Sequence, residues 1–292
     1  MMNSDNYLRI YRLPTPNPIY IFRIWQKVSF LIPLICLSFA VSANNTEQWW
    51  DVDDWDIYVS TRETIDSPWG IPFKLPEHIN TDGEDHSVSL SLGGHWMYFS
   101  SNKLDTCGGL DIFRSYRDDT NDHLAWGPPK NLGCNINTKK ADVCVIYHQD
   151  EKSDMANLYF VNDREGSKGS LDSWRVSFDP KSGSFSEAEN ILAISSKGFE
   201  GHLDPEHGLI WTERDGGLGA GDIWHSVRDQ EGNWLPPTNL GKSINFKYEE
   251  QLPSPFDDGK VICFLSNRPG GIGHLDIYVA EKISTLGTVD PS

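Results

Sequence analysis

The sequence lacks several features that identify common classes of enzyme. It contains no Gly-x-Ser-x-Gly nucleophile elbow, no phosphate-binding loop and no His-Glu-x-x-His zinc motif. No stretch longer than two turns shows a 3.6-residue hydrophobic period, and 25 glycines and 17 prolines are spread along the chain. These absences argue against helical folds and favour an all-β protein without a recognisable catalytic motif.

Basic residues are also scarce. The chain has 25 Lys and Arg against 42 Asp and Glu, a net charge of −17. A surface this acidic repels phosphate backbones and anionic headgroups, so we expect no nucleic-acid partner. It attracts cations or basic patches on partner proteins, with plain solubility as the alternative explanation.

Only one long apolar run is present, from Val28 to Val41, and it follows four basic residues. Small residues at Val41-Ser42-Ala43 suit a cleavage site, so residues 1–43 are predicted to be a signal peptide. The run is about 14 residues, shorter than the roughly 20 that span a bilayer, and this length favours a signal peptide over the alternative, a retained membrane anchor. Cleavage would leave one domain, residues 44–292, with no stable membrane insertion. Its 21 basic and 41 acidic residues give a net charge of −20.

A repeated pattern dominates the rest of the chain. Each copy combines a Gly-rich turn, an Asp-Ile-aromatic run, a Trp-Pro pair, Asn-Leu-Gly and Ile-Asn, as in the copy around Gly216–Ser226 and Asn233–Asn245. Successive equivalent aspartates are 55, 61, 50 and 54 residues apart, and they are Asp56, Asp111, Asp172, Asp222 and Asp276. Self-similarity at this period is typical of propeller blades or solenoid units.

Each repeat contains signals for about four short antiparallel strands. Asp-Ile-Tyr-Val-Ser and its relatives alternate apolar and polar residues, and Leu92-Gly93-Gly94 and Asp257-Asp258-Gly259 suit tight hairpins. Four-stranded units repeated radially make a β-propeller. The predicted fold is therefore an all-β, small β-propeller of four-stranded antiparallel blades.

Four complete spacings favour four blades. In that arrangement the strand Trp69–Leu75 would close the ring against Asp276–Ala280. The strand Asp56–Ser60 is then left over, so a five-bladed ring with one partial blade is the alternative.

The motifs also resemble the WD-like propeller repeat of TolB-type periplasmic proteins. The resemblance rests on Gly-Gly-x-Gly-x-x-Asp-Ile-Tyr, Trp-x-x-Pro-x-Asn-Leu-Gly, Ile-Asn and the run Asp258–Arg268, and it covers roughly Asp54 to Ala280. It implies a Gram-negative bacterial envelope protein, periplasmic or secreted. It specifies the fold more than the function, because one fold hosts many functions.

Four cysteines remain after the predicted signal peptide. An exported protein meets an oxidising compartment, where an even number of cysteines permits disulfides, in three pairings for four residues. Cys107 and Cys134 lie in loops and form the preferred pair, whereas Cys144 and Cys263 lie in apolar, strand-like settings. None has the spacing of a metal site.

The repeating aspartates are predicted to be architectural. A carboxylate where a strand begins accepts hydrogen bonds from backbone N–H groups of the preceding turn. Calcium is the alternative, but it needs six to eight oxygens and the loops supply few. We therefore expect no cofactor, with calcium as the weaker hypothesis.

Residues that break the repeat are the candidates for chemistry. They stand just before or at the start of the first strand of a repeat, which in a propeller lines the channel. Carboxylates on either side of a glycosidic bond would supply the acid and base of a glycoside hydrolase. The candidate catalytic residues are Glu84, Asp85, Glu200, Glu249 and Glu250, and the candidate binding residues are His86, Glu200, His202 and Gln251.

The eleven tryptophans fall into two groups. Trp69, Trp126 and Trp234 share one repeat position, which predicts packing between blades. Trp49, Trp50 and Trp55 lie near the predicted mature amino terminus and are free to be exposed.

These observations support two hypotheses of function. The preferred one is an exported, non-enzymatic, monomeric propeller that binds an envelope protein or a glycan. The alternative is a glycan-active glycoside hydrolase with carboxylates at the mouth of the channel.

Overall fold

A computed structural model of the protein describes residues 7–12, 34–40, 55–61, 70–102, 105–149, 153–256, 259–271 and 275–282. Across these ranges the chain forms strands and turns, without a helix. The described residues accordingly include no helix long and apolar enough to cross a membrane.

Four antiparallel sheets of four strands each form the main body. In sheet order, the first contains β5 (Asp85–Leu90), β6 (Trp96–Ser101), β7 (Asp111–Tyr116) and β8 (Lys130–Asn131). The second contains β9 (Val143–His148), β10 (Ala156–Asn162), β11 (Asp172–Phe178) and β12 (Glu189–Asn190). The third contains β13 (Phe199–Asp204), β14 (Leu209–Glu213), β15 (Asp222–His225) and β16 (Thr238–Asn239). The fourth contains β17 (Glu250–Phe256), β18 (Val261–Ser266), β19 (Asp276–Lys282) and β1 (Tyr7–Arg12).

These four sheets form a ring, which confirms the predicted four-bladed β-propeller. A further, three-stranded sheet contains β2 (Leu34–Ala40), β3 (Trp55–Thr61) and β4 (Phe73–Lys74) and holds the strand that the repeat count left over. The predicted ring closure is wrong. Phe73 and Lys74 pair with β3, and β19 pairs with β1 instead. Trp69 lies outside the described residues.

Two of the strands lie inside the predicted signal peptide. β1 pairs with β19 on the outer edge of the fourth sheet, and β2 pairs with β3 in the three-stranded sheet. The partner of β1, β19, also pairs with β18, and the partner of β2, β3, also pairs with β4. Cleavage after Ala43 remains a prediction.

The repeated motifs form one hydrogen-bonded unit, seen in full in the third blade. Asp222 accepts hydrogen bonds from the backbone N–H groups of Leu218 and Gly219 at 2.5 and 3.0 Å, as predicted for the repeating aspartates. Asn239 of the Asn-Leu-Gly motif donates to the same carboxylate at 2.6 Å. The buried Asn245 of the Ile-Asn motif accepts from the Ile223 N–H and donates to the Ile223 carbonyl, both at 2.8 Å. The motif thus satisfies backbone groups that the strands leave unpaired.

The hydrophobic core lies between neighbouring sheets. Trp234 is buried in a cluster with Ile146 of the second blade and Ile210 of the third, as predicted for packing between blades. Trp126 is likewise buried, in a cluster with Ile57 and Phe99.

Candidate functional site

The first strands of the four blades surround a central channel. β9 contacts β5 and β13, and β13 contacts β17. Parallel bridges join Leu171 to Phe199 and Gly221 to Glu249, so each inner strand begins beside the start of the third strand of the preceding blade. We call the end where the inner strands begin the mouth. The channel is lined by Ser87, Val88, Cys144, Val145, His202, Leu252 and Ser254.

Three of the predicted catalytic acids are buried at the start of these strands. Asp85, Glu200 and Glu250 have no exposed surface. Each carboxylate accepts a hydrogen bond from the backbone N–H four residues earlier, at 2.5, 3.0 and 2.9 Å respectively. They therefore hold the loop that leads into each inner strand.

Arginines complete this arrangement in two of the three cases. Arg214 donates to Glu200 at 2.8 Å, and Arg268 donates to Glu250 at 3.0 Å. Burial raises the pKa of Asp85 and of Glu250 above the usual carboxyl value. The hydrogen bonds to these carboxylates lower the pKa, but by less than burial raises it. All three carboxylates are buried, so none of them faces solvent at the mouth.

The other two predicted acids remain accessible at the mouth. Glu84 and Glu249 are half-buried and stand at equivalent positions, one residue before β5 and β17. Their backbone N–H groups donate to Asn102 and Asn267, each at 3.0 Å. The side chain of Glu249 also accepts a hydrogen bond from the amide Nε2 of Gln251.

Sequence reasoning missed a third carboxylate at this end. Glu213 is the last residue of β14 and is exposed. Partial burial and then the negative charge of Glu249 raise the pKa of Glu213. Glu213 occupies the repeat position that carries Asn102, Asp163 and Asn267 in the other blades. The available signal was therefore a glutamate at a position where two of the other blades have asparagine.

An aromatic residue of the three-stranded sheet lies beside Glu84. Trp55, half-buried at the start of β3, pairs with Glu84 in a parallel bridge. Its ring lies edge-on to the His86 imidazole, with 5.8 Å between centroids. The His86 Nε2 atom is 3.9 Å from Glu84 Oε2, and burial lowers the pKa of His86 to about 4. Trp49 and Trp50 lie outside the described residues.

The remaining predicted binding residues are distributed between the mouth and the channel. His86 adjoins Glu84 at the mouth, whereas His202 is buried in the channel wall. Gln251 is fully buried and reaches the mouth through its hydrogen bond to Glu249. Glu200 belongs to the buried carboxylates and faces neither region.

Cys107 and Cys134 form a disulfide with a Cα–Cα distance of 5.6 Å. Among the described residues, Cys144 and Cys263 form no disulfide, and burial raises the pKa of the Cys263 thiol to about 12. Among the described residues, no group of three or more His, Cys, Asp or Glu side chains is placed to hold a metal ion.

Solved structures of glycoside hydrolases share this fold over nearly the whole chain. The catalytic domain of a GH62 α-L-arabinofuranosidase from Coprinopsis cinerea matches with a TM-score of 0.57 and 12% identity, covering 96% of this chain and 98% of that one. An α-L-arabinofuranosidase from Podospora anserina in complex with cellotriose matches with a TM-score of 0.53 and 13% identity, covering 93% and 94%. At such identities the similarity shows the fold alone.

A putative TolB from Agrobacterium tumefaciens matches more weakly, with a TM-score of 0.44 and 13% identity, covering 80% of this chain and 76% of that one. No protein-family model matches the sequence, and neither does any curated protein.

The comparisons correct the preferred hypothesis of a non-enzymatic binding platform. That hypothesis rested on a resemblance of fold, and two solved structures with this fold over their whole length are glycoside hydrolases. The finding favours the glycan-active alternative. The chain is similar to these enzymes in its β-propeller fold.

Proposed function

We propose that this protein is a glycan-active glycoside hydrolase that works at the mouth of its propeller, with Glu213 and Glu249 as the acid–base pair. The observation that carries the proposal is the placement of Glu213 and Glu249 at the mouth, on adjoining blades joined by the Gly221–Glu249 bridge. Partial burial and the charge of Glu249 raise the pKa of Glu213. Two neighbouring carboxylates, one of which holds its proton, are the arrangement that glycoside hydrolysis uses.

The two carboxylates take different roles in this proposal. Glu213, the group with the raised pKa, holds the proton and donates it to the glycosidic oxygen as the bond breaks. Glu249 is the second carboxylate, and the hydrogen bond from the Gln251 amide orients it. It either attacks the anomeric carbon or activates a water on the opposite face, and the configuration of the product distinguishes the two.

Trp55 and Glu84 form the second half of the proposed site. An indole ring offers an apolar face on which a sugar ring can stack, and Trp55 stands beside Glu84 where other repeats have a leucine or glycine. Asn102 donates to Glu84 Oε1 at 3.1 Å and orients this carboxylate for hydrogen bonds to sugar hydroxyls.

The proposed substrates are neutral glycans. The accessible carboxylates of the mouth, Glu84, Glu213 and Glu249, repel anionic sugars. The two arabinofuranosidases with this fold, one of them bound to cellotriose, make arabinose-decorated plant polysaccharides the first substrates to test.

The proposed setting is the periplasm or exterior of a Gram-negative bacterium, where the enzyme acts as a monomer. A disulfide between Cys107 and Cys134 suits an oxidising compartment. Membership of the TolB-type repeat family is part of this proposal and rests on the repeat motifs.

The test is hydrolysis of arabinoxylan and 4-nitrophenyl α-L-arabinofuranoside, alongside a panel of other neutral 4-nitrophenyl glycosides. We expect Glu213→Gln and Glu249→Gln each to lower kcat by about 10²- to 10⁴-fold. Glu231→Gln is the matched control, because Glu231 is an exposed glutamate in the loop at the opposite end of the third blade. Absence of hydrolysis across the panel, or full activity of Glu249→Gln, would overturn the proposal.

A further inference from the structure

One serine of the channel wall has the surroundings of a nucleophile. The Ser87 Oγ atom lies 2.6 Å from Nδ1 of His86, and the other ring nitrogen of His86 faces Glu84. Ser87 also lines the central channel. A hydroxyl in contact with an imidazole that a carboxylate orients is the constellation of serine hydrolases, which is recognised by geometry rather than by sequence order.

We propose that Ser87 is the nucleophile of an ester-hydrolysing centre inside the channel, with His86 as its general base and Glu84 as the residue that positions His86. This centre is separate from the glycoside-cleaving pair Glu213 and Glu249, and the proposal does not depend on that activity.

The positions of the ring nitrogens fit the assigned roles. The Glu84 Oε2 atom lies 3.9 Å from His86 Nε2, beyond hydrogen-bond distance, so its charge acts on the imidazole through space. In the tautomer that carries its proton on Nε2, Nδ1 presents a lone pair to the Ser87 hydroxyl at 2.6 Å. Burial lowers the pKa of His86 to about 4, so the imidazole is neutral at pH 7.

The backbone at Ser87 has an uncommon conformation. Ser87 adopts a φ of 60°, a left-handed conformation that non-glycine residues rarely take and that clusters at functional sites. A bulge between His86 and Ser89 removes Ser87 and Val88 from the register with β6. Both residues line the channel.

Comparison with the other blades shows which part of this arrangement is specific. Cys144 and Leu252 stand at the same repeat position and also have positive φ, of 55° and 50°. The residues before them are Val143 and Gln251, neither of which is a base. The strained backbone is therefore a property of the repeat, whereas the histidine–serine pair belongs to one blade.

The reaction follows from these positions and consumes only water. The Ser87 Oγ atom attacks the ester carbonyl carbon while its proton moves to His86 Nδ1. The tetrahedral intermediate collapses, and the alcohol leaves with that proton. Water, deprotonated by His86, then attacks acyl-Ser87 and releases the carboxylic acid and the free serine.

The channel indicates the class of ester. Val88, Val145 and Leu252 make part of its wall apolar, which suits an apolar acyl group. Glu84 and Glu249 at the mouth repel anionic esters. Uncharged acyl esters fit these walls.

The experiment uses the full chain with 4-nitrophenyl butyrate as substrate and an alkyl fluorophosphonate as a covalent probe. Ser87→Gly removes the hydroxyl and suits the positive φ, so the backbone is preserved. We expect this variant to lose at least 100-fold in kcat/KM and to escape labelling, whereas Ser254→Ala, another channel serine, keeps both. Mass spectrometry should place the phosphonyl group on Ser87.

Two further variants test the supporting residues. His86→Gln should abolish labelling, and Glu84→Gln should lower kcat about tenfold with KM unchanged, because Glu84 acts through His86 rather than on the ester. Unchanged turnover in Ser87→Gly, or no phosphonyl group on Ser87, would overturn the proposal.

Discussion

Arg164 donates a hydrogen bond to the fully buried carboxylate of Asp142 across 2.5 Å. Asp142 also accepts from the N–H and the hydroxyl of Thr138, at 2.7 and 3.1 Å. The pair is the second blade's version of the contacts that Glu200 and Glu250 make with their arginines. It joins the loop before β9 to the end of β10.

Removal of this carboxylate should destabilise the protein strongly. Asp142→Ala leaves the buried guanidinium and the Thr138 donors without their acceptor, and we expect it to lower the free energy of unfolding by about 3–5 kcal/mol. The control is Asp163→Ala, which removes an exposed ion pair with Lys140 and should cost less than about 1 kcal/mol. Urea denaturation of both variants measures the difference, and equal costs would contradict the structural role.

The same residue predicts a pH dependence of stability. Burial raises the pKa of Asp142 from 3.8 to about 6, despite the opposing effect of Arg164. Because the folded-state pKa lies above the unfolded one, the unfolded chain loses this proton first as the pH rises. The contribution to stability is complete below about pH 4 and is lost as the pH rises to about 6. The free energy of unfolding of Asp142→Asn should fall less over this range, and parallel curves would refute the assignment.

The disulfide should account for a large share of the stability. It closes a loop with a sequence separation of 27 residues, for which the loop entropy predicts about 3.5 kcal/mol. We expect the double variant Cys107→Ser, Cys134→Ser to unfold at correspondingly lower denaturant concentration. Reduction of the native protein should reproduce that midpoint, and it should leave the midpoint of the double variant unchanged.

The charge of Glu249 should control the titration of Glu213. Glu249→Gln removes a negative neighbour that favours the protonated form, so the pKa of Glu213 should fall. Carboxyl NMR resonances of the two proteins report this shift directly. Glu231→Gln, at the opposite end of the blade, should leave the titration unchanged. If Glu213 titrates identically in Glu249→Gln, the two carboxylates do not act as a pair.

The amino terminus of the exported protein is a separate test. The apolar run and its flanking residues predict cleavage after Ala43, which removes β1 and β2. The remaining strands β3 and β19 keep their pairs with β4 and β18, so we expect a folded domain. Protein sequencing should find Asn44 at the terminus, and a chain that starts at Met1 would mean that β1 completes the fourth blade.

Several parts of the structure could be predicted from local pattern. The strand alternation, the repeat spacing and the Gly-rich turns specify four-stranded blades, because three of the four blades are formed by consecutive strands. The role of the repeating aspartates also followed from the sequence, since Asp222 binds N–H groups only three and four residues away. The closure of the ring did not follow from the sequence, because it depends on which distant strand pairs with the outer edge of the last sheet.

The sequence by itself determined that this is a small all-β propeller with acidic residues where its inner strands begin. Only the tertiary structure decided which of those acids reach solvent. Asp85 is buried and Glu84 is accessible although they are adjacent, because successive residues of a strand point in opposite directions. The pairing of Glu213 with Glu249 likewise joins two blades, and contact between blades is set by the packing of whole sheets.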